Sequence, residues 1–531
     1  MLLWAVAGFA VSLGAIVLII HACSSGWLAP RSAEFHHSDK PDRPPIPRFG
    51  GIALAAAFAI LSAASGSPLL GFEPDPVRWV IVGMALAMFG LGLWDDLRPL
   101  GARRKLLGQL LIATAAYFWG LGIHHFKIPL TDHIIDLGLY GWPVTVFWLV
   151  AMTNLINLIY GVDGLAGGIA LMLMVLLAMV GGGVEFVPYI AIGMGGALLA
   201  FLCFNSPPAN IYLGDGGAYF LGFLIGGLTI YNSHKGTVLA ALIAPLFVLA
   251  LPILDTSLAV LRRGLMGLPL FRPDRRHLHH RLLQSGVSRE NLALGAYAFT
   301  GFFLILGLLA FFWRGEGFEV LMGGGMLMVL LLASQFGFSQ GWLNVAATLR
   351  RMLKARAEIQ YALAQSHWLA MEGERGESIE SICEDTALIA RRLGFARIRI
   401  QLEDGEKLWK LTDCAGADNC VHQPRESEVD SWTIMGPDGC RCLAFRHALP
   451  GHPACLVELQ TPNEHEAAAA NGLSPAASPR DQGLHRFQIL GEVLAEGWAK
   501  SLKDWLRQNQ TPIRFHSQTA PASTIVSGNG A

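Results

Sequence analysis

Four groups of residues in this chain could do chemistry. Trp94-Asp95-Asp96-Leu97 closes a long uncharged stretch with two adjacent carboxylates. Such a pair can hold a magnesium ion, or one acid can serve as a base beside the other. A solvated pair at a helix end would read the same way. The second group runs from Asn154 through Asn157 and Tyr160 to Asp163, Gly164, Gly167 and Gly168. Two amides spaced i, i+3 share a helical face, and the glycines let backbone come close to a ligand. Asp163 could accept hydrogen bonds from a ribose or a base. A plain Asp-Gly turn explains the glycines but not two asparagines within an apolar run. The third group is Asn205, Pro207, Pro208, Asn210 and Gly214-Asp215-Gly216-Gly217. The prolines break the helix, and a lone acid then opens the next one. Asp215 is read as a magnesium ligand; the alternative is a simple N-cap.

The fourth group is Arg272-Pro273-Asp274-Arg275-Arg276-His277-Leu278-His279-His280-Arg281. Clustered arginines and histidines suit a pyrophosphate. Three histidines could instead bind zinc or nickel. An earlier loop, Asp39 to Gly51, adds Lys40, Arg43 and Arg48 on a proline-stiffened segment that could address phosphate or simply flank a membrane helix.

The elements that position these groups follow from composition. The chain has 531 residues, of which 53% are hydrophobic and only 15% charged, with mean hydropathy +0.44. Soluble chains carry about 25% charged residues. The deficit excludes a disordered, collagenous or charged-repeat protein and indicates a membrane protein. A net charge of −1 leaves no nucleic-acid footprint. Uncharged stretches predict helices near 2–21, 51–70, 79–94, 106–123, 143–160, 164–183, 187–204, 216–231, 237–258, 293–313 and 320–338, eleven crossings in all. The first lacks the basic start of a signal peptide and reads as an uncleaved membrane helix. Basic residues concentrate in alternate loops, with Arg31, Lys40, Arg43 and Arg48, then Arg98, Arg103, Arg104 and Lys105, then Arg262, Arg263, Arg272, Arg275, Arg276, Arg281 and Arg289. The opposite loops hold only Arg78, Lys127, Lys235 and Arg314. The basic set marks the cytoplasmic side, with the N-terminus outside and the C-terminal part inside. The acids then gather at cytoplasmic helix ends, where water, nucleotide and lipid headgroup all reach.

The fold class is therefore an all-α polytopic membrane protein followed by a cytoplasmic α/β domain. Residues 1–340 form the membrane part and 341–462 the α/β domain. Residues 463–483 read as a linker, 484–510 as a helix and 511–531 as a disordered tail. In the α/β domain, 341–370 and 376–393 read as helices, and 396–402, 407–412, 441–446 and 455–460 as strands. That order resembles a GAF-type sensory fold. Six cysteines fall in this half, but the spacings of Cys414/Cys420 and Cys440/Cys442 are not those of zinc knuckles.

Taken in order, the motifs over residues 1–340 resemble the polyprenyl-phosphate N-acetylhexosamine-1-phosphate transferase superfamily, glycosyltransferase family 4. The eleven crossings and the His277-Leu278-His279-His280 block resemble its undecaprenyl-phosphate N-acetylglucosamine-1-phosphate branch. The resemblance implies a bacterial inner-membrane enzyme that starts cell-surface polysaccharide synthesis. A lipid phosphate would attack the β-phosphorus of a UDP-N-acetylhexosamine, most simply UDP-GlcNAc, and release UMP. It implies Mg²⁺, with Mn²⁺ as a substitute, on Asp215, Asn157 and Asp95. Asp95, Asp96 and Asp215 would be catalytic, with Asp95 acting as base or as nucleophile. Lys40, Arg48, Asn154, Asn157, Asp163, Asn205, Arg276, His277, His279, His280 and Arg281 would bind substrates. The partners implied are the sugar nucleotide, the lipid and the bilayer, and a homodimer is compatible. Two departures stand out. Tyr160 occupies a place where the family often has Asp, and Asp42 lies about where the first loop usually has His. Two rivals from other classes are a transporter and a degenerate transferase anchoring its cytoplasmic domain. One-sided acids oppose the first, and retention of all four acids with the histidine block opposes the second.

Overall fold

The computed structural model describes residues 1–25, 46–65, 75–127, 134–159, 163–181, 186–235, 245–246, 248–269, 288–312, 324, 345–375, 378–411, 432–435, 442–449, 452–461 and 482–509. It divides into two compact units, residues 1–261 with 271–343 and residues 262–270 with 344–531.

The first unit is mostly helical. It contains α1 (Leu2–Ser24), α2 (Gly50–Ser65), α3 (Pro76–Leu97), α4 (Ala102–Phe118), α5 (Gly141–Ile159), α6 (Leu165–Val180), α7 (Phe186–Asn205), α8 (Gly214–Lys235), most of α9 (Ala250–Met266) and α10 (Arg289–Phe312). Among the described residues, four spans are long and apolar enough to cross a membrane, namely Leu2–Ser24, Pro76–Leu97, Gly138–Ile159 and Phe186–Asn205. Three shorter helices are also apolar. The protein is thus a helical membrane protein. The expected helix at 320–338 lies outside the described residues apart from residue 324, and the one at 237–258 is described only in part.

Helix α3 starts sharply because Asp75 caps it, accepting from the Val77 N–H at 2.9 Å, with Pro76 in the first turn. The Tyr231 hydroxyl, on α8, donates to the other Asp75 oxygen at 2.7 Å. Helix α8 sits at the centre of the unit, packed against α2, α3, α5 and α6. Tyr219, Phe220, Phe223, Leu224 and Leu228 are all buried, as a helix apolar on every side must be. The loop expected at 124–142 carries a short antiparallel hairpin, β1 (His125–Lys127) with β2 (Ile134–Asp136).

The second unit contains α11 (Val345–Arg375), α12 (Ile379–Arg392), α13 (Gln482–Asn509) and a five-stranded antiparallel sheet. The strands are β3 (Arg397–Leu402), β4 (Gly405–Lys410), β5 (Trp432–Met435), β6 (Cys442–Leu449) and β7 (His452–Gln460), in spatial order β4-β3-β7-β6-β5. Strand β5 was not expected from the sequence. Alternation sends Ile398, Ile400, Leu402, Val457 and Leu459 into the core with the apolar stripe of α12 and with Trp498 of α13. The opposite face holds a buried ion pair, Arg446 Nε to Glu458 Oε2 at 2.9 Å, and Gln460 donates to Glu458 at 2.7 Å. Met266, the last residue of α9, joins this same core, and Leu268 just beyond it packs against it. Gln360 on α11 also donates to the Gly267 carbonyl. Cys383 and Cys455 are free and buried. Cys414, Cys420 and Cys440 lie outside the described residues.

Candidate active site

The last turn of α3, the first turns of α4 and the start of α8 bring three acids and one lysine together. Asp95 and Asp96 end α3 because Arg98 is extended and Pro99 blocks further helix. The Lys105 ammonium is ion-paired to Asp95 Oδ2 and donates to Asp215 Oδ2 at 2.9 Å. The other Asp95 oxygen accepts from the Leu100 N–H at 2.8 Å, which folds the α3–α4 connection back over it. Side-chain exposure is 7% for Asp95, 16% for Asp215 and 27% for Lys105, so solvent reaches the cluster from the lysine side.

Asp96 does something different. Its Oδ1 accepts from the Asp215 N–H at 2.9 Å, and its Oδ2 from the Gly216 N–H at 2.8 Å. It therefore caps α8 from another helix, satisfying donors that have no intrahelical partner. Asp215 is not its own helix's cap; its carboxylate is left for Lys105. Arg48 lies near enough to attract Asp96 electrostatically. Close approach makes this possible. A side chain at Gly92 on α3 would place its first carbon 2.5 Å from the Asp215 carbonyl oxygen. Gly214 adopts φ +74°, and any Cβ there would meet the Arg48 carbonyl oxygen at 2.4 Å. Only glycine fits both positions.

Asn154 and Asn157 lie on α5, which packs against α4. Asn154 donates to Gln109 Oε1 at 2.7 Å. Gln109 is one turn beyond Lys105, and α5 continues from Asn154 to Asn157. The Asn157 Oδ1 is buried without a hydrogen-bond partner. A third cluster surrounds the turn after α5. Asp163 Oδ2 accepts from the Ala209 N–H at 3.3 Å. Asn205 Oδ1 accepts from the Gly164 N–H at 3.0 Å, and its amide donates to the Ile211 carbonyl at 2.8 Å. The Tyr297 hydroxyl donates to the Gly164 carbonyl at 2.6 Å. Asn205 thus braces two loops rather than offering an open amide.

Lys40, Arg276, His277, His279, His280 and Arg281 lie outside the described residues, as does Tyr160. Reading the sequence for acids and amides missed Lys105, which looked like one of four membrane-flanking cations with Arg98, Arg103 and Arg104. A signal was present. Gln109, Ala113 and Ala116 are the buried residues of α4, and Lys105 is one turn before Gln109 on that face, while Arg103 and Arg104 are exposed.

Two observations bear on whether these residues could hold a magnesium ion. Asp95 and Asp215 already share one cation, the lysine ammonium, and Asn157 Oδ1 is a buried oxygen without a partner. Among the described residues, no group of three His, Cys, Asp or Glu could hold a metal alone. Magnesium does not need one, since it commonly uses one or two carboxylates plus water and substrate phosphates.

Comparison with known proteins identifies the family. The family model for glycosyl transferase family 4 matches residues 78–233, which span α3 to α8 and hold Asp95, Asp96, Lys105, Asp163 and Asp215. A probable undecaprenyl-phosphate N-acetylglucosaminyl 1-phosphate transferase from Bacillus subtilis is 34% identical over 254 residues, covering 48% of this chain and 70% of that protein. A decaprenyl-phosphate N-acetylglucosaminephosphotransferase from Mycobacterium tuberculosis is 30% identical over 283 residues, covering 48% and 70%. A phospho-N-acetylmuramoyl-pentapeptide-transferase from Moorella thermoacetica is 33% identical over 278 residues, covering 49% and 83%. On these matches the chain belongs to glycosyl transferase family 4 and is a membrane enzyme of the polyprenyl-phosphate N-acetylhexosamine-1-phosphate transferase group.

Proposed function

We propose that the enzyme transfers GlcNAc-1-phosphate from UDP-GlcNAc to undecaprenyl phosphate and releases UMP. The reaction would take place at the cytoplasmic face of a bacterial inner membrane and begin a cell-surface polysaccharide. The observation that carries this reading is the Lys105 ammonium held between Asp95 and Asp215 at the start of α8.

The reaction joins two anions. The lipid phosphate oxygen bonds to the β-phosphorus as the bond from that phosphorus to the UMP oxygen breaks. Little covalent chemistry falls to the protein, so its work is positioning and charge. Lys105 supplies positive charge where the diphosphate and the attacking phosphate converge. Asp95, fixed by the Leu100 N–H, orients the lipid phosphate or takes its proton. Asp96 fixes the backbone of Asp215 and so aims that carboxylate. Asp215, Asp95 and the Asn157 oxygen would hold Mg²⁺, or Mn²⁺, whose charge would neutralise the diphosphate and the departing UMP. Asp163 lies on a braced turn suited to the nucleoside. Lys40, Arg48, Arg276, His277, His279, His280 and Arg281 would clamp the phosphates, and Asn154 would keep α5 in register with α4. Eleven crossings with an external N-terminus would put these groups on one side.

The donor is tested by offering the detergent-purified enzyme undecaprenyl phosphate with UDP-GlcNAc, UDP-GalNAc or UDP-N-acetylmuramoyl-pentapeptide, and weighing the lipid product. GlcNAc-pyrophosphoryl-undecaprenol as the main product is expected. A product formed only from another nucleotide would replace the donor in this account.

A further inference from the structure

We propose that Tyr297, on α10, is a positioning residue for the nucleotide end of the site. Its hydroxyl would fix the Asp163-Gly164 turn in the conformation that binds the nucleoside. This rests on the reading of Asp163 as a nucleotide contact.

The turn is gripped from both sides. The Gly164 N–H donates to Asn205 on α7 at 3.0 Å, and the Gly164 carbonyl accepts from Tyr297 at 2.6 Å. Gly164 has φ +76°, one of several conformations open to glycine, and these two bonds favour it over the others. The same carbonyl also accepts from the Gly168 N–H at 2.9 Å, which starts α6. One carbonyl thus receives a helical donor and a side-chain donor from a different helix. Ring and backbone are closely fitted. A Cβ at Gly168 would lie 2.3 Å from the Tyr297 ring, and one at Gly164 would lie 3.1 Å from its hydroxyl. Helix α10 begins eight residues after Arg281, the end of the Arg/His block. Tyr297 therefore fastens the helix that follows the proposed phosphate clamp to the turn that carries Asp163.

A Tyr297→Phe change removes only the hydroxyl. Gly164 keeps its Gly168 donor, so no buried carbonyl is orphaned and the fold should survive. UMP binding is the readout, measured by calorimetry on detergent-solubilised full-length protein with Mg²⁺. It needs no turnover and no knowledge of the sugar. Losing one hydrogen bond's worth of ordering predicts that Tyr297→Phe weakens UMP about fivefold. Gly168→Ala, which pushes on the ring, should weaken it similarly. If Tyr297 acts through Asp163, the double variant with Asp163→Asn should bind no more weakly than Asp163→Asn alone. Tyr231→Phe, which removes a comparable bond to Asp75 at the far end of α8, should leave UMP binding unchanged. Additive losses, an equal loss in Tyr231→Phe, or full affinity in Tyr297→Phe while Asp163→Asn is impaired would each overturn the positioning role. Full affinity in Asp163→Asn would overturn the nucleotide reading itself, and the positioning role with it.

Discussion

In the proposed reaction Lys105 carries more of the chemistry than its neighbours in sequence suggest. Three cations open α4, and the helix dipole disfavours all of them there. Lys105 lies on the face that continues into Gln109 and Ala113, and Asp95 and Asp215 compensate it there, whereas Arg103 and Arg104 are exposed. Replacing it by methionine leaves two carboxylates facing each other without their cation. Phosphoryl-transfer sites stripped of one charge-stabilising donor lose on the order of 10²-fold or more in rate. Purified Lys105→Met enzyme should show such a drop in product formation, and near-normal turnover would remove Lys105 from the mechanism. Asp96→Asn makes a different forecast. An amide can still accept one of the two N–H bonds from α8, but its NH₂ faces the other. The cost is roughly 1 kcal/mol of cap energy, visible as a lower melting temperature alongside the activity loss. At this scale, Asp95, Asp96 and Asp215 were legible because acids are costly beside membrane helices. Their division of labour was not, since it depends on which carboxylate meets the α8 backbone.

Helices α3 and α8 meet through glycine. Gly92→Ala would drive a methyl into the Asp215 carbonyl and push Asp96 off the α8 N-terminus. Overpacking of this kind costs about 1–3 kcal/mol. Gly83→Ala and Gly90→Ala on the same helix meet nothing within 4 Å and should be silent. Equal effects of all three on thermal stability and activity would contradict the packing account. In the second unit, burial pushes the Cys383 thiol up to about 12 and the Cys455 thiol up to about 11, from an ordinary value of 9.0. The folded state then holds thiol protons that the unfolded chain releases. The associated stability is complete below pH 9 and is lost as pH rises towards 11 and 12. Folded protein at pH 8 should resist alkylation at Cys383 and Cys455, read by peptide mass mapping, and both should label once urea unfolds the unit. Rapid labelling of native protein would contradict their burial. The long helices were legible from apolar length and periodicity. The β1–β2 hairpin and β5 were not, because strands of three or four residues carry too few alternations to rise above loop composition.

The whole molecule joins a membrane transferase to a second unit with its own core. The composition break near residue 340 marks that division, but the second unit also includes residues 262–270. Met266 and Leu268 read as ordinary apolar residues of a loop, and no local pattern shows that a distant sheet and helix pair will bury them. A chain cut after residue 343 would expose both, so the truncated enzyme should be less stable than the full chain by differential scanning fluorimetry. An unchanged melting temperature would mean that these contacts are dispensable. The proposed orientation predicts that a reporter fused at the C-terminus is active only as a cytoplasmic fusion, and periplasmic activity would reverse it. The central claim concerns hexosamine-phosphate transfer at the Asp95–Lys105–Asp215 cluster. It is tested most directly by UMP release from purified enzyme given undecaprenyl phosphate, Mg²⁺ and UDP-GlcNAc, beside Asp215→Asn protein and a chelated sample. Lipid-dependent release that disappears in both is the predicted result, whereas release that persists in Asp215→Asn would contradict the account.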